Sequence, residues 1–263
     1  MSLEADIRSL ASPDKDVQAT ARRTLIASGA AAVPPLMAHL RDEDSPIAWS
    51  ATAWVLRQIG EPAAQPLIDV IASDASEEVR RRARWAFNGL KVAEPAGLAP
   101  AFTHADPRVR AAAARLVQNR DADGTASVFT GLLLDLLGDQ DDDVRHSAVS
   151  ALAAIGEPVA DVLRGIRRAP STGRRRRATA LAALAEIGGR DALDAHDRAL
   201  VSRLIAIKQL DERPEPMHLC GSWYALPSCD ETEVFAAFDL SDPVPATMRM
   251  GADAWNRDHH SLT

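Results

Sequence analysis

A three-residue signature returns six times in this chain, with its first residues 30, 32, 30, 35 and 32 residues apart. A branched residue or arginine opens each copy: Val17, Ile47, Val79, Val109, Val144 and Arg176. Four positions later stands an alanine: Ala21, Ala51, Ala83, Ala113, Ala148 and Ala180. Four positions further on stands an apolar residue: Leu25, Val55, Phe87, Val117, Leu152 and Leu184. Residues four and eight apart share one face of a helix. A unit this short cannot bury such a face alone, so neighbouring units must stack. The expected fold is all-α: an α-solenoid of about six helical hairpins over residues 1–208, followed by a non-repeat C-terminal extension, 209–263. Aromatics make up only 4% of the residues, so alanine and leucine must fill the core and the helices must pack closely.

The punctuation of each unit fits that reading. Asp14, Asp44, Asp106 and Asp141 stand three residues before their openers, where a carboxylate accepts the free N–H groups of a first turn. Gly29, Gly60, Gly156 and Gly188 are placed to end the first helices. Pro34, Pro66 and Pro158 fall near the starts of the second helices, where a missing N–H costs little. Residues 2–11 read as a further helix with Leu3, Ile7 and Leu10 on one face. The fourth repeat is lengthened by Asp121-Ala122-Asp123-Gly124. The sixth lacks an aspartate cap and opens on Arg174-Arg175-Arg176-Arg177.

The run Asp141-Asp142-Asp143-Val144-Arg145, then Ala148 and Leu152, then Ile155-Gly156-Glu157-Pro158, resembles the HEAT-like repeat. The short variety seen in phycobilisome lyases and designed repeat scaffolds is the nearest match, over roughly residues 10–205. The resemblance implies the fold more than the function, because this repeat serves scaffolds, lyases, hydroxylases and DNA-repair enzymes. It also implies that the helix carrying the Val-Arg pattern lines a concave face. The positions two, three, six and ten after each opener then face a groove. They give Arg23; Trp49, Ser50 and Arg57; Arg81, Arg82 and Trp85; Arg115 and Asn119; and His146 and Ser150. Arg174 and Arg175 lie on the approach to the sixth repeat. The groove is expected to be a basic channel with two indoles in its N-terminal half. Arg80, Arg110 and Arg145 are expected to make structural contacts to the aspartate caps, and Trp54 to point into helix packing.

Guanidinium groups beside indoles bind carboxylate or phosphate and planar groups. The expected function is therefore binding, with an acidic peptide, protein segment or anionic small molecule as partner. The alternative is a small-molecule enzyme of the lyase, cyclase or isomerase type, with His146 as the titrating group. A DNA-base-acting enzyme ranks third. The run Arg174–Arg177 is the footprint that nucleic acid needs, but residues 1–208 hold 27 acidic and 27 basic side chains. A solvated basic face is preferred over a nucleic-acid partner.

The net charge of −7 arises in residues 209–263, with ten acidic and three basic side chains. That extension also holds Trp223, Tyr224 and Trp255, which a purely disordered tail would lack. These three are candidates for a lid folding over the groove; the plainer expectation is an end cap on the last repeat. No cofactor and no metal are expected. No histidine is followed by glutamate, as the two-iron hydroxylases of this repeat class require, and His218, Cys220 and Cys229 do not match a zinc spacing. Two cysteines are too few for a disulfide framework. No apolar run suits a membrane span, and a cytoplasmic location is the default. Only three of the thirty basic residues are lysine, a bias of the kind a GC-rich genome produces.

Overall fold

The computed structural model describes residues 2–92, 95–119, 126–213, 216–217, 227, 230–241 and 244–260. Among them all regular structure is helical, and the chain divides into two compact units, 1–192 and 193–263.

In the first unit, α1 (Leu3–Ser9) precedes five hairpins. Their first helices are α2 (Lys15–Ala27), α4 (Trp49–Ile59), α6 (Glu77–Asn88), α8 (Pro107–Gln118) and α10 (Asp142–Ile155). Their second helices are α3 (Val33–Arg41), α5 (Ala64–Ala72), α7 (Ala99–Phe102), α9 (Thr130–Leu136) and α11 (Ala160–Arg168). The helix α12 (Arg174–Gly188) closes the unit, and each first helix packs on the next. A short 3-10 turn introduces every second helix: 29–32, 61–63, 95–98, 126–129 and 157–159. The second unit holds α13 (Ala195–Asp211), α14 (Glu231–Ala237) and α15 (Met248–His260). Thus α13, which by order would complete a sixth hairpin, runs through residue 208 and belongs to the second unit. Within that unit Gln209 Nε2 donates to the Ala246 carbonyl at 2.9 Å, and the Met248 N–H donates to Glu212 Oε1 at 2.8 Å. No helix among the described residues is long and apolar enough to cross a membrane.

The repeating signature forms the core. Leu25, Val55, Phe87, Val117 and Leu152 are fully buried and Leu184 nearly so, with Ala21, Ala83, Ala113, Ala148 and Ala180 beside them. Asp14, Asp106 and Asp141 cap α2, α8 and α10, each accepting first-turn N–H groups. In the third repeat Ser76 does the same for α6.

The second repeat departs from the expected register. Asp44 caps nothing; α4 begins at Trp49, two residues after Ile47, and its cap residue Ala48 offers no side-chain acceptor. Within α4, Thr52 and Ala53 are buried while Ala51 is only half-buried. The Gly188 position also shifts by one: Gly188 is the last residue of α12, and Gly189 carries the positive φ of 56°. Gly60 and Gly156, with φ of 79° and 76°, end α4 and α10 as expected.

The arginines that follow the openers serve the fold, but their acceptors are not the aspartate caps. Arg80 donates to the Ser73 and Ala75 carbonyls and pairs with Glu77. Arg110 donates to the His104 and Ala105 carbonyls, and Arg145 to those of Asp139 and Gln140. Each guanidinium therefore ties down the turn that precedes its own helix. Arg110 also makes a bidentate pair with Asp139, at 2.7 and 2.8 Å, linking the fourth repeat to the turn before the fifth. Burial raises the Asp139 pKa, but the Arg110 hydrogen bonds and charge, together with the Asp141 and Gln140 N–H groups, outweigh it and hold the carboxyl below its ordinary value.

Candidate functional site

The helices α4 and α6 run side by side and bring Trp49, Arg57, Arg81 and Trp85 into one cluster. Trp49 and Trp85 meet edge to face, with ring centroids 5.5 Å apart and planes at 87°. That geometry places the positive edge of one indole against the negative face of the other. The Arg81 guanidinium lies 4.9 Å from the Trp49 ring centroid, and that of Arg57 lies 4.2 Å from Trp85. Each indole thus carries a cation from its own neighbourhood.

The two arginines differ in their partners. Arg81 makes two hydrogen bonds to Glu78, at 2.7 and 2.8 Å, which raise its pKa. Arg57 has no carboxylate partner among the described residues, and burial lowers its pKa. A glycine seats it: a side chain built on Gly89 would overlap the Arg57 guanidinium. The Arg57 carbonyl accepts the Lys91 N–H at 3.0 Å, which fixes the segment carrying that glycine. The guanidinium is therefore held in place, partly desolvated and unneutralised.

Acids accompany the arginines of the expected basic channel on this face. Arg82 is buried, bound to Glu78 at 2.8 Å and to the Asp42 carbonyl at 3.2 Å, so it does not line a groove. The position three after the opener is buried again at Ala112, Ser147 and Thr179. Glu77 pairs with Arg84 and Arg80, and Glu78 with Arg81 and Arg82. Hydrogen bonds from those arginines lower both carboxyls to about 2. Farther along the face, a cavity of about 310 Å³ is lined by both signs of charge: Glu77, Asp141 and Asp143 with Arg84, Arg108 and Arg115. Arg115 is the one predicted groove residue in it.

The remaining predicted positions are scattered. Arg23 is exposed and donates to Thr20 Oγ1 at 3.1 Å. Ser50 is exposed at the start of α4, and Ser150 is half-buried. Asn119 is exposed and donates to the Asn88 carbonyl at 3.5 Å. His146 is exposed, with no hydrogen bond or ion pair to another described residue, so nothing orients it for proton transfer. Arg174 and Arg175 are exposed and line a separate cleft with Arg176. Trp54, expected inside, is 38% exposed, with the Arg22 guanidinium 5.3 Å from its ring. The buried face of α4 is formed by Thr52, Ala53, Val55 and Leu56, which leaves Trp54 on the outer side. Trp255 is partly exposed on α15. Trp223, Tyr224, His218, Cys220 and Cys229 lie outside the described residues. Among those described, no group of three or more histidine, cysteine or acidic side chains is arranged to hold a metal ion.

Sequence reasoning did not place Glu77, Glu78, Asp143 or Gly89 on this face, and it assigned Asp141 only as a helix cap. The acids stand one to three residues before their openers, at the start of the same helices. Gly89 stands ten after its opener, at the position that Arg57 occupies one repeat earlier.

The family model described as HEAT repeats matches residues 6–88 and 95–185. No curated protein matches the chain. Among solved structures the chain is similar to a designed armadillo repeat protein in complex with the peptide (KR)4. Identity is 23% over 72% of this chain and 100% of that one, with a TM-score of 0.33. It is similar to computationally designed armadillo repeat proteins for modular peptide recognition, at 20% identity over 71% and 100%, TM-score 0.33. It is also similar to an engineered protein, at 22% identity over 78% of this chain and 63% of that one, TM-score 0.35. With its repeats matched across both stretches, the chain belongs to the HEAT repeat family.

Proposed function

We propose that this protein is an interaction module, and that the cluster of Trp49, Arg57, Arg81 and Trp85 takes a carboxylate side chain of an acidic peptide or protein segment. The observation that carries this is Arg57: a seated guanidinium, stacked on an indole, with no acid partner among the described residues. An arginine already ordered and partly desolvated loses little on binding a carboxylate, and its planar fork suits a bidentate contact. The indole faces supply apolar area around it, the composition typical of binding hot spots.

The measurement is fluorescence anisotropy of a labelled eight-residue glutamate-rich peptide. Trp85→Ala removes the platform and is expected to weaken binding about 30-fold, from a hot-spot loss of about 2 kcal/mol. Arg57→Gln is expected to weaken it about tenfold or more. Wild-type affinity should fall as salt rises. Equal affinity for a lysine-rich peptide of the same length, or an unchanged Arg57→Gln variant, would count against the proposal.

The small-molecule alternative draws on the cavity of about 310 Å³, the size of a modest ligand site. Its described lining offers carboxylates and guanidiniums of both signs, Glu77, Asp141 and Asp143 with Arg84, Arg108 and Arg115, which suit a ligand carrying both charges.

A further inference from the structure

Counting back eleven residues from the openers gives Leu36, Ile68, Leu98 and Leu133 in the second to fifth repeats, all buried in the core. The same count from Val17 gives Asp6 on α1. Asp6 is only 3% exposed, so a carboxylate stands where those four repeats place leucine or isoleucine; the sixth has Gly165 there. No described side chain forms a hydrogen bond or ion pair with it. It lines a cleft of about 350 Å³ between α1 and α2, together with Ser9, Asp16, Val17, Thr20 and Ala21. Proximity to the α1 N-terminus favours an acid there only weakly, and leucine or isoleucine at this position would bury apolar area that aspartate does not.

The cleft is open on its outer side. Val17 is 41% exposed, whereas its counterparts Val79, Val109 and Val144 are covered by the preceding repeat. The hydroxyls already have partners: Ser9 Oγ donates to the Ala5 carbonyl at 2.9 Å, and Thr20 Oγ1 accepts from Arg23 at 3.1 Å. The two carboxylates remain, Asp6 deep within and Asp16 exposed, beside the apolar Val17 and Ala21.

We propose that this cleft is a docking site for the side chain of a lysine or arginine presented by a partner protein. Such side chains combine a methylene stem with a cationic head. The stem would lie on Val17 and Ala21, and the head would reach Asp6 and Asp16 in charge-assisted hydrogen bonds. The site is distinct from the indole cluster and prefers the opposite charge.

The probe is the peptide acetyl-Ala-Ala-Arg-Ala-Ala-amide, titrated into the full-length, isotope-labelled protein and followed by amide chemical shifts. Saturable shifts at Asp6, Ser9, Val17 and Thr20 are expected in the wild type. Asp6→Leu should weaken the response at least tenfold, while its thermal midpoint rises by about 2–4 °C as the leucine register is restored. Asp16→Asn, at an exposed position, should weaken the response with the midpoint unchanged. Absence of saturable shifts in the wild type, an undiminished response in Asp6→Leu, or a lowered midpoint for that variant would overturn the proposal. So would a response to calcium or magnesium ions without one to the peptide.

Discussion

Replacing Phe87 by alanine is expected to remove about 3–5 kcal/mol of folding stability, the range for deleting a fully buried aromatic side chain. Phe87 is completely buried on α6, at the eighth position after the opener, where the other repeats place leucine or valine. Alanine would leave a cavity in the middle of the array. Each repeat contacts only its neighbours, so a central void weakens the interfaces on both sides of α6. Phe87→Leu should cost only about 1 kcal/mol, because leucine already fills this position in the first, fifth and sixth repeats. In thermal unfolding followed by circular dichroism, Phe87→Ala should lower the midpoint by roughly 6–20 °C. A drop as large in the leucine variant would mean that the column tolerates no change of shape, against the register described above.

The second large effect is expected at Gly60. Its φ of 79° lies where a side chain is strained, and a methyl group there would overlap the Lys91 carbonyl oxygen. Lys91 has little freedom to withdraw, because its N–H is bound to the Arg57 carbonyl at 3.0 Å. Backbone strain and the forced shift together should cost about 2–5 kcal/mol in Gly60→Ala. Gly29 provides the comparison: its φ is 54°, but nothing lies within 4 Å of an added methyl. Gly29→Ala should cost only about 1–2 kcal/mol. Because Lys91, which the methyl would displace, is bonded to the Arg57 carbonyl and lies two residues from Gly89, Gly60→Ala should weaken peptide binding as well as stability. Urea denaturation of both variants separates the two contributions, and equal losses at Gly60 and Gly29 would remove the role assigned to Lys91.

The fold was legible because one physical constraint repeats. Apolar residues four and eight positions apart must share a buried face, and three of the four aspartates placed before openers do cap their helices. The second repeat was not legible from that count. Its opener Ile47 is buried but lies outside the helix, and the buried face of α4 is Thr52, Ala53, Val55 and Leu56, so Trp54 emerges at the surface. Part of the candidate site could also be read ahead of the structure. Trp49, Arg57, Arg81 and Trp85 come from four counted positions, and the structure brings them together. Arg82 was counted with them, yet it is buried and turned back to Glu78 and to the Asp42 carbonyl of the preceding repeat. The acids that temper the basic face stand before the openers, in positions that helical counting assigns to caps. Gly89 was hidden for another reason: an absent side chain matters only once the arginine that fills its space is known.

Gly89→Ala offers the most direct test of the binding account. The added methyl would evict the Arg57 guanidinium from its seat, leaving Arg57 and Trp85 themselves unchanged. Gly89 has a negative φ of −115°, and what the methyl meets is the end of a flexible side chain, so the fold should persist. By isothermal titration with the glutamate-rich peptide, affinity is predicted to fall about tenfold, or about 1.4 kcal/mol, with the thermal midpoint within a few degrees of wild type. Undiminished affinity in a folded Gly89→Ala protein would contradict the claim that a seated Arg57 receives the partner's carboxylate.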